Sequence, residues 1–299
     1  MIWYKSCIYY ANGKSIIMKY NLKDVTLVFF SDIDGTIINN NSFCYGNNID
    51  VIKQLLEANH YVIFNSSKTF NEIDYMLKSE NLSIPFICET GGGIYCPKDF
   101  FDSTQKERGG YDIIFESVRQ SSFSAQIKNT LTKEFKNEIV FFDELSLKMR
   151  ERFSGLSGDD LERASNRDFS LLFKWHTNNE ELLKLKNILD DFNLTVIRGG
   201  RFFHICSGFN KYSAMQLIMS KINNTNPKKL FKTVGLGDSS NDIDMLNQTD
   251  YRCIVQSTNN TLLIAGLSNK NFILSSTPAP EGWQECVENV FIESRRTNG

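Results

Sequence analysis

The segment 28–36 constrains the fold most, because an apolar run ends there in two carboxylates and a glycine. Apolar runs of this length that are closed by glycine are typical of buried strands. A buried parallel strand delivers the next residues to the carboxyl edge of its sheet, where open α/β proteins bind ligands. Asp32 and Asp34 lie two positions apart, so an extended segment places them on the same face.

Two carboxylates that lie close together repel each other unless a proton or a cation lies between them. The segment therefore predicts a metal site, and Mg²⁺ fits it best because Mg²⁺ takes a few carboxylates and keeps several of its waters. The structural alternative is a strand followed by an Asp-rich turn that caps a helix.

The order of the predicted elements indicates a parallel sheet. Strands are predicted before Asp32, at 61–64 and at 84–88, and apolar residues at helical spacing lie between them. The same alternation returns after Lys211, with a strand at 231–236 and a shorter one at 251–255. Such an order predicts an α/β fold, a Rossmann-like parallel sheet with right-handed crossovers.

Between these two stretches the pattern changes to short mixed elements. Two strand-like segments, 194–197 and 201–205, flank Gly199 and Gly200, which predicts a hairpin in an inserted α+β cap. The predicted limits are an N-terminal extension at 1–23, a first core segment at 24–93, the cap at 94–207 and a second core segment at 208–299.

Composition narrows the classes of partner. The formal net charge is -2, so no basic excess indicates nucleic acid or an anionic membrane, and no apolar run has the length of a membrane span. The seven cysteines contain no C-x-x-C pair and are odd in number, which argues against a disulfide framework or a zinc site. We therefore expect reduced thiols in a cytoplasmic protein. We expect no signal peptide, because 1–20 lacks a basic start and a long apolar core.

Polar clusters are predicted where strands or helices open onto one edge of the sheet. Each has a structural alternative: a serine there caps a helix, a lysine is solvated on a helix, and an aspartate forms a turn. The clusters are Asp32 with Asp34, Ser66 with Ser67 and Lys68, Lys211, and Asp238 with Asn241 and Asp242.

Together the clusters fit phosphoryl transfer through an aspartyl-phosphate. Asp32 is the predicted nucleophile and a metal ligand, and Asp34 is the predicted acid/base, which binds the metal through its backbone carbonyl. Asp238 is a further metal ligand. Ser66 and Lys211 are the predicted donors to the transferring oxygens. Asp242, which we place in the metal set, holds a metal-bound water or Lys211.

These motifs resemble those of the haloacid dehalogenase-like phosphatase superfamily, in the same order and with the cap between the second and third motifs. The segment 66–69 is similar to the Ser-Lys-Thr form of mannosyl-3-phosphoglycerate phosphatases. Further similar segments are 89–93, 155–157 with 167–170, 200–205 and 280–283. The resemblance implies a hexosyl-3-phosphoglycerate as substrate, with a hexosylglycerate and phosphate as products.

The chain departs from that family at two places near the expected cleft between core and cap. Leu171 and Leu172 stand where the family has Glu-Pro, and Thr90 stands where it has Asn. A pocket that loses a carboxylate can lose a contact to a sugar hydroxyl, so these departures bear on the choice of sugar and not on the phosphate chemistry.

The remaining candidates are substrate-binding residues. Arginine suits a carboxylate because its guanidinium donates two hydrogen bonds. The structural alternative for the arginines is a surface ion pair, and for the histidine a satisfied strand position. Trp175 and Trp283 are predicted to be core residues. The predicted substrate-binding set is Ser67, Lys68, Arg167, Arg201, His204 and Asn241.

Alternative functions stay open at this point. They are another sugar phosphatase, of the sucrose-phosphate or hexose-phosphate type, a phosphomannomutase-like phosphotransferase, and a non-catalytic binding protein on the same fold. Each predicts a phosphorylated sugar as partner except the last. The sequence does not predict an oligomeric state.

Overall fold

The structure is a computed structural model that describes residues 22, 25–40, 42–98, 100–101, 106–135, 138–175, 178–199, 201–258 and 260–297. The predicted N-terminal extension, 1–23, lies outside the described residues apart from Leu22. No helix in the described ranges is long and apolar enough to cross a membrane.

Strands and helices alternate along most of the chain. The strands are β1 (Val25–Ser31), β2 (Tyr61–Asn65), β3 (Phe86–Cys88), β4 (Gly93–Pro97), β5 (Glu107–Arg108), β6 (Tyr111–Glu116), β7 (Val140–Phe141), β8 (Ser170–Lys174), β9 (Leu194–Arg198), β10 (Phe203–Ser207), β11 (Leu230–Gly237), β12 (Tyr251–Gln256) and β13 (Ile273–Pro278). The helices are α1 (Asn48–Glu57), α2 (Phe70–Ser79), α3 (Ser124–Glu134), α4 (Leu147–Ser154), α5 (Gly158–Ser165), α6 (Asn179–Asp190), α7 (Lys211–Thr225), α8 (Ile243–Asn247), α9 (Asn260–Gly266) and α10 (Glu281–Thr297).

The chain forms two compact units. The first contains the described residues of 1–66, 80–86 and 215–299, and the second contains 67–79 and 87–214. The predicted limits of core and cap stay a prediction.

The first unit contains a parallel sheet in which β1 is central. Its strand order is β13-β12-β11-β1-β2, and β1 pairs in parallel with both β11 and β2. Residues 27–30 of β1 are fully buried, as expected for a strand covered on both faces. The chain leaves β1 toward β2 on one side and reaches β11, β12 and β13 on the other. A strand at which the order reverses in this way opens a crevice at its carboxyl end.

The second unit contains an antiparallel sheet in the order β7-β8-β10-β9. Helices α3 and α6 cover one face of it with apolar side chains from both layers, among them Ile127, Leu189 and Ile205. The predicted hairpin is confirmed, with Phe203 paired with Arg198 across its turn. A second antiparallel set joins β4, β6 and β5. The predicted fold class, an α/β parallel-sheet core with an inserted α+β segment, is confirmed.

Six cysteines in the described residues are buried and free of disulfide bonds, as predicted: Cys44, Cys88, Cys96, Cys206, Cys253 and Cys286. Both predicted core tryptophans are buried as well. Trp283 of α10 is fully buried, and its indole N–H donates a hydrogen bond of 2.9 Å to the hydroxyl of Ser31, at the end of β1. Trp175 is 7% exposed, and its indole nitrogen has no hydrogen-bond partner within the described residues.

The two tryptophans form a matched pair for a stability test. Trp283→Phe and Trp175→Phe each remove the same atoms, but only the first breaks a hydrogen bond and leaves the Ser31 hydroxyl without its donor. We expect Trp283→Phe to lower the free energy of unfolding by about 1 kcal/mol more than Trp175→Phe, measured by urea denaturation. Equal losses would show that the hydrogen bond to Ser31 contributes nothing to stability.

Candidate active site

Asp32 follows β1 directly, and hydrogen bonds on two sides fix its backbone. Its N–H donates to the carbonyl of Leu236 on β11, at 3.0 Å, and its carbonyl accepts from the hydroxyl of Ser31, at 2.8 Å. The Asp32 side chain is 5% exposed. The sheet therefore places the predicted nucleophile at its carboxyl edge, at the strand where the order reverses.

A tight turn follows Asp32 and carries Asp34, which is half-buried. The carbonyl of Ile33 accepts hydrogen bonds from the N–H groups of 36, 37 and 38, and the N–H of Gly35 donates to the carbonyl of Ile38 at 2.8 Å. Gly35 has a φ of +76°, and a β-carbon there would lie 2.6 Å from Oδ2 of Asp238. The turn thus needs glycine for its conformation, and its backbone lies against the Asp238 carboxylate.

A second acidic turn follows β11. The Asp242 carboxylate turns back and accepts 3.2 Å hydrogen bonds from the N–H groups of Asp238 and Ser239. Gly237 permits this, because a β-carbon there would lie 2.4 Å from Cγ of Asp242. The carbonyl of Asp238 accepts from the hydroxyl of Ser257 at 2.9 Å and from the amide of Asn260 at 3.2 Å.

Asp32, Asp238 and Asp242 form one buried acidic cluster, whose possible ligand atoms all lie within 4.8 Å of one another. Opposite ligands of an octahedral Mg²⁺ at 2.1 Å are separated by about 4.2 Å, so the cluster has the size of a magnesium site. The donors are all oxygens, which Mg²⁺ prefers, and buried like charges need a cation between them. The residues present therefore fit Mg²⁺, and three of the four predicted metal residues lie together. The fourth, Asp34, was predicted to bind through its carbonyl.

Two further predicted residues belong to the first unit. Ser66 is fully buried and follows the last residue of β2. Asn241 is half-buried, and its side-chain oxygen accepts a hydrogen bond of 2.6 Å from the hydroxyl of Ser239. This bond fixes the orientation of the Asn241 side chain beside the acidic turn.

The other predicted residues lie in the second unit, where several are buried cations. Lys211 begins α7 and is 1% exposed. Lys68 is 7% exposed, and its Nζ lies 3.4 Å from a carboxylate oxygen of Glu72. Arg167 donates from Nε to the hydroxyl of Ser170 at 2.8 Å and from Nη2 to the carbonyl of Ser67 at 2.7 Å.

His204 lies on β10 and is buried beside two of these cations. Burial, with the positive charges of Arg167 and Lys211, lowers the pKa of His204 from about 6.5 to about 3. Its Nδ1 has no hydrogen-bond partner among the described residues. The structure therefore brings Arg167, Lys211 and an uncharged His204 into one electrostatic environment. Arg201, by contrast, is exposed and donates to the carbonyl of Ser154.

Three residues that hold the predicted site residues in place have no role that the sequence predicts. Glu89 and Ser170 contact the backbone or side chain around Arg167, and Asn260 binds the carbonyl of Asp238. Glu89 lies in the segment 89–93 that resembles the phosphatase family, directly after a short apolar strand and before three glycines in four residues, but none of these features predicts its hydrogen bonds. Nothing in the sequence distinguishes Asn260 from the chain's other asparagines.

Comparison with known proteins agrees with this architecture. The family described as haloacid dehalogenase-like hydrolase matches residues 29–266. A glucosyl-3-phosphoglycerate/mannosyl-3-phosphoglycerate phosphatase of Persephonella marina is 27% identical over 278 residues, which cover 90% of this chain and 99% of the relative.

Solved structures show the same fold at lower identity. A protein of Streptococcus mutans UA159 aligns with a TM-score of 0.64 and 18% identity, over 90% of this chain and 98% of its own. A phosphatase of the haloalkanoate (HAD) enzyme superfamily from Bacteroides thetaiotaomicron aligns with a TM-score of 0.63 and 13% identity, over 90% of this chain and 96% of its own. The chain therefore belongs to the haloacid dehalogenase-like hydrolase family, and its predicted enzyme class, a phosphoric monoester hydrolase, is confirmed.

Proposed function

We propose that the protein is a Mg²⁺-dependent phosphatase that converts mannosyl- or glucosyl-3-phosphoglycerate to the hexosylglycerate and phosphate through an aspartyl-phosphate. The observation that carries the chemistry is the buried cluster of Asp32, Asp238 and Asp242 at the carboxyl edge of the sheet. The relative from Persephonella marina, named for these two substrates, supports the choice of substrate. The reaction would then be a step in the biosynthesis of a hexosylglycerate.

In the first step, a carboxylate oxygen of Asp32 attacks phosphorus, and the bond from phosphorus to the glycerate C3 oxygen breaks. Asp34 gives its proton to that leaving oxygen. Asp34 then takes a proton from water, and the water oxygen attacks phosphorus and releases Asp32 with inorganic phosphate. Ser66 and Lys211 donate to the phosphoryl oxygens.

A bound Mg²⁺ would neutralise charge between Asp32 and the phosphoryl dianion. Asp32 and Asp238 would hold it with the backbone carbonyl of Asp34, and Asp242 would hold it directly or through a water. Hydrogen bonds fix the backbone of Asp32 and Asp238 and one carboxylate oxygen of Asp242 before any ligand arrives.

The second unit supplies candidate contacts to the rest of the substrate. Arg167 suits the glycerate carboxylate, since it is buried and positively charged. His204 stays uncharged, so it suits a sugar hydroxyl better than an anion. Ser67, Lys68, Arg201 and Asn241 complete the proposed set.

The departures at 171 and 172 have a structural explanation. Leu171 and Leu172 lie on opposite faces of β8, and both are buried in apolar clusters. These positions therefore offer no polar contact to a sugar. We propose that the chain accepts more than one hexose for this reason.

A substrate panel tests the proposed function. We expect phosphate release from mannosyl- and glucosyl-3-phosphoglycerate with kcat/KM at least about tenfold above that for sucrose phosphate or hexose phosphates. Asp32→Asn should abolish turnover of every substrate while leaving the melting temperature close to that of the wild type. Turnover of sucrose phosphate or a hexose phosphate alone would reassign the substrate, and isomerisation of mannose phosphates without phosphate release would indicate a phosphotransferase.

Removal of the metal gives an independent test of the acidic cluster. Mg²⁺ should raise the melting temperature of the metal-free protein, because it binds the folded state and relieves repulsion among buried carboxylates. Asp238→Asn should reduce this shift, and without metal it should melt at or above the wild-type temperature, since one buried charge is gone. A shift of unchanged size in Asp238→Asn would place the metal elsewhere.

The buried His204 predicts a dependence of stability on acid. The unfolded chain binds a proton at this residue below about pH 6.5, whereas the folded protein does so only near pH 3. Between these values the unfolded state holds more protons, so the free energy of unfolding falls as the pH falls. The slope of the free energy of unfolding against pH is proportional to this difference in bound protons. His204→Gln should reduce the difference by up to about one proton, measured by urea denaturation between pH 4.5 and 6.5. An unchanged slope would show that His204 titrates normally.

A further inference from the structure

Glu89 is a fully buried carboxylate that accepts hydrogen bonds from one short loop. Its Oε1 accepts from the N–H of Asp168 at 2.8 Å. Its Oε2 accepts from the N–H groups of Phe169 and Ser170, at 3.1 and 2.9 Å, and from the Ser170 hydroxyl at 2.6 Å. An ionised carboxylate only accepts hydrogen bonds, and here it meets four donors. Glu89 therefore organises the backbone of 168–170.

The backbone at Glu89 adopts a conformation that L-residues disfavour. Its φ is +46°, Thr90 follows at +59° and Gly91 at +101°. A β-branched residue such as threonine in the left-handed region is an outlier, and each residue held there is energetically unfavourable. The N–H of Glu89 donates to the carbonyl of Lys68 at 2.8 Å, which helps to hold the turn. Surrounding contacts thus hold the turn in a strained conformation. In this conformation the Glu89 carboxylate points at the loop 168–170.

The same loop carries Arg167, and the Ser170 hydroxyl connects the two charges. Nε of Arg167 donates to Ser170 Oγ, the same hydroxyl that donates to Glu89, and lies 3.5 Å from Glu89 Oε2. Nη2 donates to the carbonyl of Ser67. No hydrogen bond from Nη1 is found within the described residues, so this nitrogen is the donor left for a ligand. Two of the three guanidinium nitrogens thus have protein partners, and Nη1 has none within the described residues.

We propose that Glu89 is the positioning residue for Arg167, and that it aims the guanidinium at the carboxylate of the substrate without touching the substrate itself. This inference rests on the proposed function, in which Arg167 is a substrate contact. The strained turn at 89–91 then contributes to the choice of substrate, because it positions Arg167 through Glu89. The phosphate chemistry needs neither residue.

Asp168, the next residue in the loop, provides a matched control. Its carboxylate accepts hydrogen bonds from Nη1 of Arg108 at 2.6 Å and Nη1 of Arg119 at 2.5 Å. It therefore carries the same charge in the same loop but binds other arginines. Asp168→Asn removes a charge from the loop without changing the contacts of Arg167.

The main test compares Glu89→Gln with Asp168→Asn on two substrates. We expect Glu89→Gln to lower kcat/KM for the better hexosylphosphoglycerate about 10- to 100-fold, mainly through KM, because a displaced guanidinium binds the substrate poorly. Turnover of p-nitrophenyl phosphate, which has no glycerate, should fall less than about threefold. Asp168→Asn should stay within about threefold of the wild type on both substrates. Equal losses on both substrates, or none, would overturn the proposal.

A double-variant cycle separates positioning from a general structural role. If Glu89 acts through Arg167, then Glu89→Gln should lower kcat/KM no more than about twofold further in the Arg167→Ala background. Full additivity of the two losses would contradict the proposal. Should Glu89→Gln not fold, as judged by circular dichroism, Ser170→Ala tests the same connection, with an expected loss of about fivefold or more on the larger substrate and none in the Arg167→Ala background.

The outcome also separates this inference from the proposed function. If the wild type releases phosphate from neither hexosylphosphoglycerate, the proposed function fails, and the variants are compared on the best sugar phosphate of the panel. The positioning role then stands if Arg167→Ala and Glu89→Gln each lower kcat/KM for that sugar phosphate and the double variant loses little more than Arg167→Ala alone. It is overturned if Arg167→Ala lowers the rate for no substrate.

Discussion

Repulsion among three buried carboxylates is the constraint on which the first unit depends. The backbone hydrogen bonds of two adjacent strands, and a turn that Asp242 itself caps, hold Asp32, Asp238 and Asp242 close together. Glycines at 35 and 237 leave the space for this approach. The fold therefore supplies the positions, and a divalent cation bound among the three carboxylates would reduce their mutual repulsion.

The second unit shows the opposite arrangement of charge. Lys211 is buried and the Arg167 side chain is 8% exposed, and the burial of His204, together with these two positive charges, keeps His204 uncharged. A buried cation is stable when an anion and hydrogen-bond partners lie close by, and for Arg167 these are Glu89, Ser170 and a backbone carbonyl. Because two of its nitrogens are already bonded, the guanidinium would lose little conformational freedom on binding the anionic ligand proposed for it.

The parts of the molecule that follow from local sequence pattern can be predicted from the sequence. The apolar runs at 61–64 and 231–236 became β2 and β11, and the polar residues that follow such strands lie at the expected edge. The short strand β13 was not predicted, since exposed polar residues alternate with few buried ones along it. Glu89 and Asn260 were missed for a different reason. Glu89 contacts residues at least 79 positions away along the chain, and Asn260 contacts a residue 22 positions away. Composition and spacing do not encode such contacts.

The central position of β1 has a consequence for synthesis of the chain. β1 and β2 emerge early, but the partner for the other edge of β1 begins only at Leu230, and the indole that binds Ser31 comes 252 residues after it. Until then a buried apolar strand keeps an open hydrogen-bonding edge, the kind of surface on which nascent chains associate wrongly. Asp32 is thus synthesised long before β11, the strand whose carbonyl fixes its backbone, is available to pair with β1.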